Sequence, residues 1–159
     1  MIFVTVGTQL PFDRMVAMVD EYCDAHAGLE VFAQVGNGAR YIPRNFESVG
    51  MLSLAESRRC FEQSDVIISH VGIGSILTAL GLGKPILMMA RLAELQEHRD
   101  NHQEQTLRHF QAFQQCFPFA TPDELEDALA RTLRAPQDLP PLSPYAPENM
   151  LMEIRRLLN

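Results

Sequence analysis

Asp65-Val66-Ile67-Ile68-Ser69-His70-Val71-Gly72-Ile73-Gly74-Ser75 is the stretch that decides the fold. It opens with a β-branched run that is typical of a strand buried on both faces, and a glycine-containing turn follows. Residues 76–80 have helical composition, and Pro85 prevents the helix from continuing into a second apolar strand, residues 86–89. Strand, turn, helix and strand together predict a βαβ unit with a right-handed crossover.

The glycine turn predicts an anion-binding site. Gly72 and Gly74 would let backbone amides approach a ligand, and the helix start would add unpaired N–H groups and positive dipole charge, which suits a phosphate. We interpret His70, directly before the turn, as a phosphate contact, although a lone histidine after a buried strand is more often structural. The glycines could also serve close strand–helix packing, and Ser75 could be a helix N-cap.

The rest of the chain alternates further strands and helices. Strands are predicted at residues 2–6, 29–35, 46–50 and 117–119, and helices from Pro11 and at residues 54–63, 101–115 and 122–133. This alternation predicts an α/β domain with a doubly wound, Rossmann-like parallel sheet. We expect the domain to cover residues 1–134, a proline-rich connector to cover 135–147, and a C-terminal helix over 148–159 to pack on the domain.

Composition limits the possible functions. A chain of 159 residues with 47% hydrophobic and 21% charged residues is one globular domain in size. The net charge of −7 argues against nucleic acid as a partner, because no basic stripe is present to neutralise a phosphate backbone. Three widely spaced cysteines indicate buried thiols in a reduced protein, and the absence of a signal peptide or apolar span predicts a cytoplasmic location.

Two common nucleotide-binding signatures are absent. A dinucleotide fingerprint needs G-x-G-x-x-G directly after the first strand, where this chain has the single Gly7. No G-x-x-x-x-G-K-[ST] sequence is present either. Nicotinamide, flavin and P-loop chemistry are therefore disfavoured.

Four segments together resemble one family: residues 3–8 (FVTVGT), 68–75 (ISHVGIGS), 83–85 (GKP) and 97–103 (EHRDNHQ). The chain resembles the donor-binding half of a GT-B glycosyltransferase of family 28 over residues 1 to about 134. It is most similar to the small single-domain type, which includes the catalytic subunit of the dolichol-pathway GlcNAc transferase and bacterial exopolysaccharide subunits. The resemblance implies a UDP-sugar donor at the C-terminal edge of the sheet, with no further cofactor.

The resemblance also implies which residues contact the donor. Members of the family place an H-x-G-x-x-S-like turn on the pyrophosphate and a polar segment against the sugar hydroxyls. Many members carry a ribose-binding glutamate where this chain has Thr78, and Glu97 is a candidate substitute for it. The implied binding residues are Gly7, Thr8, His70, Gly72, Gly74, Ser75, Thr78, Glu97, Asn101, His102 and Gln103.

The acceptor-binding half of a GT-B enzyme is missing from this sequence. Small family members pair with a membrane-associated subunit that supplies the acceptor site, so we expect such a partner, a lipid-linked glycan acceptor and no activity of the chain alone. The general base is then expected on the partner, and the partner would hold the chain at the inner face of the membrane. Inverting transfer is expected, and the absence of a D-x-D sequence predicts that it needs no metal ion. A homodimer in isolation is left open.

Other interpretations remain open at this stage. A non-catalytic subunit that stabilises or activates a separate transferase is the main alternative, because Thr78 departs from the family pattern; a UDP-sugar epimerase-like protein is a weaker one. We assign Asp13, Arg14 and Glu21 to a solvated helix face. The charged group His98, Arg99, Asp100 and His102 is interpreted as a solvated loop without a recognised zinc spacing.

Overall fold

The computed structural model describes residues 1–134 and 139–143 of the chain. Its six strands form one parallel sheet in the order β3-β2-β1-β4-β5-β6. The strands are β1 (Ile2–Thr5), β2 (Val31–Gln34), β3 (Glu47–Val49), β4 (Val66–His70), β5 (Ile86–Met89) and β6 (Cys116–Pro118). This order confirms the doubly wound, Rossmann-like prediction.

Within the described residues four helices connect strands: α1 (Asp13–Ala25), α2 (Leu54–Gln63), α3 (Ile73–Gly81) and α4 (His102–Phe110). A fifth helix, α5 (Pro122–Arg134), follows β6, and a short 3₁₀ helix lies at Ala93–Leu95. Helix α2 begins with a capping box, in which the Ser53 hydroxyl accepts from the Glu56 backbone N–H and the Glu56 carboxylate accepts from the Ser53 backbone N–H. Local capping chemistry thus fixes where this helix starts.

Two apolar layers cover the sheet. Side chains of α1 and α5 pack on one face against Val4, Ile68 and Leu87, whereas side chains of α2 and α3 pack on the other face against Phe3 and Ile67. Neighbouring strand residues therefore point to opposite faces and are both buried. This explains why the strands are continuous apolar runs.

The strand order reverses between β1 and β4: β2 and β3 lie on the side of β1, and β5 and β6 lie on the side of β4. Strands β1 and β4 are neighbours in register, with Thr5 opposite Ser69. Their carboxyl ends meet at the point where ligands bind in open α/β sheets. The turns that contain Gly7 and Gly72 consequently lie side by side.

Helix α3 begins earlier than the sequence predicted. The Ile76 N–H donates to the Gly72 carbonyl oxygen at 3.0 Å, so that Gly72 is the N-cap and the helix starts at Ile73. Ser75 lies inside the first turn, and its interpretation as an N-cap is therefore wrong. Gly72 thus stands where the turn meets the helix, and Gly74 lies in the first turn of α3.

Helix α4 ends earlier than predicted. It stops at Phe110 instead of residue 115. The chain leaves the helix because the Gln115 carbonyl oxygen accepts from the Ile86 N–H at 2.8 Å, which begins the pairing of β5 with β6. As predicted, the strand that follows, Cys116–Pro118, lies at the edge of the sheet, where a proline is tolerated.

Part of the proline-rich connector is held on the domain. The Leu142 N–H donates to the Leu80 carbonyl oxygen at 2.8 Å, and Gln115 Nε2 donates to the Pro140 carbonyl oxygen at 2.9 Å. Residues 135–138, residues 144–147 and the predicted helix over 148–159 lie outside the described residues. Within the described ranges, no helix has both the length and the apolar character needed to cross a bilayer.

Candidate functional site

A cleft of about 490 Å³ lies at the carboxyl ends of β1 and β4. Its volume is in the range of small-molecule sites. Nine of the eleven residues predicted to bind a ligand line it: Gly7, Thr8, His70, Gly72, Gly74, Ser75, Thr78, His102 and Gln103. The structure thus brings together residues from three separate parts of the chain.

The first turn of α3 presents free backbone donors to the cleft. Ile73, Gly74 and Ser75 line the cleft, and their N–H groups form no hydrogen bond within the described residues. Such orphan donors and the helix dipole attract anions. This end of the cleft therefore has the chemistry of a phosphate site.

The His70 ring lies between the two glycine turns. A Cβ added to Gly7 would lie 2.5 Å from His70 Cε1, and one added to Gly72 would lie 2.6 Å from the same atom. Real Cβ atoms do not approach so closely, so a side chain at either position would displace the ring. The packing interpretation of Gly72 is correct to this extent.

Gly74 differs from these two glycines. A Cβ added to Gly74 would meet no atom of the described residues within 4 Å. Packing of the protein therefore gives no reason for glycine at this exposed position in the first turn of α3. Gly74 also lines the cleft, where a ligand would approach the backbone.

His70 is held in its neutral form. Burial, with the nearby Arg91 charge, lowers the pKa of His70 to about 4, although a hydrogen bond with the Thr5 backbone acts in the opposite direction. The ring is therefore uncharged at neutral pH. Positive potential in the apo cleft comes from the α3 amides and from Arg91, not from this histidine.

Arg91 joins the two loops that border the cleft. Its side chain is buried, and its Nη2 donates to the carbonyl oxygens of Val6 at 2.9 Å and Leu10 at 2.7 Å. Nη1 donates to the Pro11 carbonyl oxygen at 2.8 Å. Burial lowers the pKa of Arg91 to about 10, so the group remains charged at neutral pH. The β1–α1 loop is thereby fixed against the segment that follows β5.

Gln34 supports the same loop from the other side. Its Nε2 donates to the Gly7 carbonyl oxygen at 2.8 Å, and its Oε1 accepts from the Leu52 N–H at 3.0 Å. Gly7 itself has a φ of +77°, a conformation that favours glycine. The turn after β1 is therefore fixed by its backbone conformation and by two buried polar side chains.

Gln103 lies buried at the start of α4 and faces the cleft. Its Oε1 accepts from the Arg91 backbone N–H at 3.1 Å, whereas its Nε2 has no partner within the part of the chain that is described. Thr78 also lines the cleft, and its hydroxyl donates to the Gly74 carbonyl oxygen at 2.7 Å. A donor from Gln103 and an oxygen acceptor from Thr78 are thus available to a ligand.

Glu97 and Asn101 do not line the cleft. Glu97 forms two hydrogen bonds with the Arg14 guanidinium group, 2.7 Å from Nε to Oε1 and 2.8 Å from Nη2 to Oε2. Asn101 Oδ1 accepts from the Ala93 N–H at 2.8 Å. The assignment of Arg14 to a solvated helix face is therefore wrong, because Arg14 ties α1 to the loop before α4.

The sequence profile of the glycosyltransferase family 28 C-terminal domain matches residues 1–152. The chain belongs to this family. It is 37% identical over 129 residues to the UDP-N-acetylglucosamine transferase subunit ALG13 of Eremothecium gossypii, which covers 78% of this chain and 53% of that protein. The ALG13 subunit of Mus musculus is 31% identical over 110 residues, or 61% of this chain and 9% of that protein. The family 28 domain thus spans about half or less of these relatives.

Solved structures share the fold of the family 28 domain. The glycotransferase of kitacinnamycin superimposes with a TM-score of 0.66 at 19% identity, over 85% of this chain and 35% of that one. The NMR structure of ALG13 has a TM-score of 0.58 at 22% identity, over 96% of this chain and 93% of that one. These likenesses confirm the Rossmann-like half of the GT-B architecture that the sequence predicted.

Several residues of the family 28 domain that shape the cleft were missed in the sequence. Arg91 and Gln34 each come at the carboxyl end of an apolar strand, which is where polar side chains reach a ligand edge. Their position after a strand was the sequence feature from which both could have been identified. His98 also lines the cleft, and its side chain is only 13% exposed, so the solvated-loop interpretation is wrong for this residue.

Proposed function

We propose that this family 28 domain binds a UDP-sugar in the cleft and acts as the donor half of a hexosyltransferase. The observation that carries the proposal is the set of three unpaired amides at Ile73, Gly74 and Ser75, beside His70 in one cleft. A diphosphate is the part of a UDP-sugar that such donors would hold. The ALG13 relatives are named as subunits of a UDP-N-acetylglucosamine transferase, which makes UDP-N-acetylglucosamine the first donor to test.

The same groups suit the departure of the nucleotide. Transfer with inversion breaks the bond between the anomeric carbon and the β-phosphate oxygen, and negative charge grows on the diphosphate. Preorganised amides stabilise that charge without a metal ion. Negative phosphate next to His70 also raises the pKa of the ring from its low apo value, so binding would draw a proton to it. Metal-independent transfer is part of the proposal.

Sugar recognition is proposed for the opposite side of the cleft. Gln103 Nε2 is a free donor that fits a sugar hydroxyl oxygen, and His102 and Thr8 line the same space. Asn101 already bonds to Ala93, so it is a support for the loop in this proposal rather than a ligand. Glu97 is likewise a support, because Arg14 engages both of its oxygens.

A second subunit is proposed to supply the acceptor and the general base. Three exposed apolar side chains, Leu10, Leu54 and Ile73, line the cleft. The name of the ALG13 relatives, a transferase subunit, supports an assembly of more than one chain. We propose a membrane-associated partner, a lipid-linked glycan acceptor in polysaccharide or glycolipid synthesis, and a peripheral location at the cytoplasmic face.

A second candidate is a non-catalytic subunit that stabilises or activates a separate transferase. Two observations favour it: Thr78 stands where the family resemblance places a ribose-binding glutamate, and Glu97 is already paired with Arg14. No carboxylate substitute is then free for the ribose among the candidate residues. A domain of this kind would keep its partner active with an empty cleft.

An assay with membranes from a strain that lacks this chain distinguishes the enzyme subunit from the stabilising subunit. Purified wild-type chain is added with labelled UDP-N-acetylglucosamine, and label in lipid-extractable product and chain bound to the membranes are both measured. If the chain is an enzyme subunit, the wild type restores transfer, whereas His70→Ala binds the membranes equally but does not restore it. The control variant His109→Ala, at an exposed position on α4, should behave as wild type. Restoration by His70→Ala would support the stabilising subunit. Transfer to a purified lipid-linked acceptor by the chain alone would contradict the need for a partner.

A further inference from the structure

Two histidines and one carboxylate meet at the margin of the cleft. His98 and Asp100 lie in the loop before α4, and His102 is the first residue of that helix. One donor atom from each of the three lies within 4.8 Å of the other two. The two imidazole rings stand edge to face with their centroids 4.5 Å apart. Two nitrogen ligands and one oxygen ligand are thus collected from five consecutive residues.

Hydrogen bonding within the described residues does not explain the buried position of the His98 ring nitrogen. Its Nδ1 is buried, yet it has no hydrogen-bond partner within the described residues. Asp100 Oδ1 lies 3.5 Å from this nitrogen, and the same carboxylate oxygen is bonded by His102 Nδ1 and by the His102 backbone N–H. A buried ring nitrogen without a partner, aimed at a carboxylate that is already engaged, indicates a missing ligand between the groups.

The separation of the donors suits a metal ion. Zinc binds histidine nitrogen and carboxylate oxygen at about 2.0–2.2 Å, which places neighbouring ligand atoms roughly 3.5 Å apart. The distance of 3.5 Å between His98 Nδ1 and Asp100 Oδ1 already fits that spacing. His102 Nδ1, now bonded to the carboxylate, has only to move back slightly to complete the set.

We propose that His98, Asp100 and His102 form a binding site for a divalent transition-metal ion of the zinc type. Imidazole with carboxylate selects such ions, whereas Mg²⁺ prefers an octahedron of oxygens and would not bind here. Three protein ligands leave coordination positions for water or a ligand oxygen. The ion would fasten the loop after β5 to the first turn of α4 and add positive charge at the cleft margin, because both histidines line the cleft.

The proposal is independent of the donor-binding function. The transfer step proposed above uses backbone amides and does not pass through this ion. The metal site can therefore be present in a protein that binds no nucleotide, and its absence would leave the donor cleft intact. Binding of the metal alone is the appropriate readout.

Titration of the purified full chain with Co²⁺ and Zn²⁺ at pH 7.5 tests the site. Co²⁺ binding is followed by visible absorption, Zn²⁺ binding by calorimetry, and Mg²⁺ is the negative control. Asp100→Asn and His98→Ala each remove one ligand, and His109→Ala removes an exposed histidine of the same helix as the matched control. Circular dichroism verifies that every variant is folded.

We expect one ion per chain in the wild type and in His109→Ala, with no saturable Mg²⁺ binding. Loss of a residue that only hydrogen-bonds to a metal ligand typically lowers metal affinity by about 10- to 100-fold. The metal affinity of each variant that lacks a ligand should therefore fall by at least about tenfold. Two results would overturn the proposal: no saturable Co²⁺ or Zn²⁺ binding by the wild type, or binding that Asp100→Asn and His98→Ala leave unchanged. The second result would place the ion elsewhere on the chain.

Discussion

The imidazole ring of His70 occupies the space that a side chain on Gly7 would need. A Cβ on Gly7 would lie 2.5 Å from His70 Cε1, and Gly72 is restricted by the same ring from the next turn. Two glycines that look like ligand-binding glycines in the sequence therefore also leave room for the ring of a histidine. Gly74 is the glycine of the turn for which the protein offers no such reason, and it carries the first prediction.

Gly74→Ala should leave the fold intact and weaken nucleotide binding. The position is helical and open, so alanine should stabilise α3 by roughly 0.5–1 kcal/mol. A phosphate against the amides of the first turn would meet the new methyl group, and we expect the Kd for UDP to rise by about tenfold, or 1.4 kcal/mol. Calorimetry and thermal unfolding measure the two effects.

Gly81→Ala is the matched control for this variant. Gly81 is also helical and open, but it ends α3 instead of beginning it. UDP affinity should be unchanged in Gly81→Ala. Equal affinities of Gly74→Ala and wild type would show that the diphosphate does not lie on the start of α3.

His70 should make the fold sensitive to mild acid. Its pKa is about 4 in the folded chain and 6.5 as the reference value. Between these values the unfolded chain binds the proton and the folded chain does not, so stability falls as pH drops from about 6.5 to about 4. The shift corresponds to about 3 kcal/mol at most. Urea unfolding across this pH interval should show that acid lowers the free energy of unfolding less in His70→Asn than in the wild type.

An NMR titration reports the same group directly. The His70 Cε1–H resonance should move only below about pH 5 in the free protein, and its midpoint should rise when UDP is bound. A midpoint near 6.5 in the free chain would contradict the buried neutral ring. An unchanged midpoint with saturating UDP would contradict contact between the ring and the diphosphate.

Arg91 should be essential for the shape of the cleft. Arg91→Met would leave the carbonyl oxygens of Val6, Leu10 and Pro11 without their donor. The Val6 acceptor is buried and the other two are partly buried, and a buried acceptor left unsatisfied costs about 1–3 kcal/mol, so the loss of unfolding free energy should be at least about 1 kcal/mol. Arg99→Met removes an exposed arginine of the same loop and should change stability by less than about 0.5 kcal/mol. Similar losses in both variants would show that Arg91 does not hold the loops together.

Gln103→Glu should separate sugar recognition from nucleotide recognition. The carboxylate can still accept from the Arg91 N–H, but the Nε2 donor is lost. UDP carries the larger negative charge of the two ligands, so the added carboxylate alone would weaken UDP binding more, and a greater loss for UDP-N-acetylglucosamine reports the sugar contact. We expect the sugar nucleotide to lose about fivefold to tenfold relative to UDP, which is one hydrogen bond. Gln105→Glu, on the exposed side of α4, should leave the ratio unchanged.

Local patterns in the sequence were sufficient for most of the fold. Neighbouring residues alone determine the β-branched strands, the Ser53–Glu56 capping box and the start of α5 at Pro122, and the structure confirms all three. The boundaries of α3 and α4 were wrong because hydrogen bonds to Gly72 and between Gln115 and Ile86 decide them. The second of these bonds joins residues far apart in the chain.

The candidate site was only partly predictable. Residues after β1 and β4 share the cleft because parallel strands end at one edge, and this follows from topology alone. The Arg14–Glu97 pair joins residues 83 positions apart, and no local pattern in either segment signals it. Arg91 stands at a strand end, but the hydrogen bonds of its guanidinium group to the β1–α1 loop depend on packing over Phe12.

Calorimetric titration of the purified chain with UDP and UDP-N-acetylglucosamine, beside GDP and NAD⁺, tests the central claim most directly. We predict saturable binding of one uridine ligand per chain, lost in His70→Ala, weakened in Gly74→Ala and unchanged in Gly81→Ala. Absence of saturable binding by both uridine ligands, or equal binding of GDP or NAD⁺, would contradict the assignment of the cleft to a UDP-sugar.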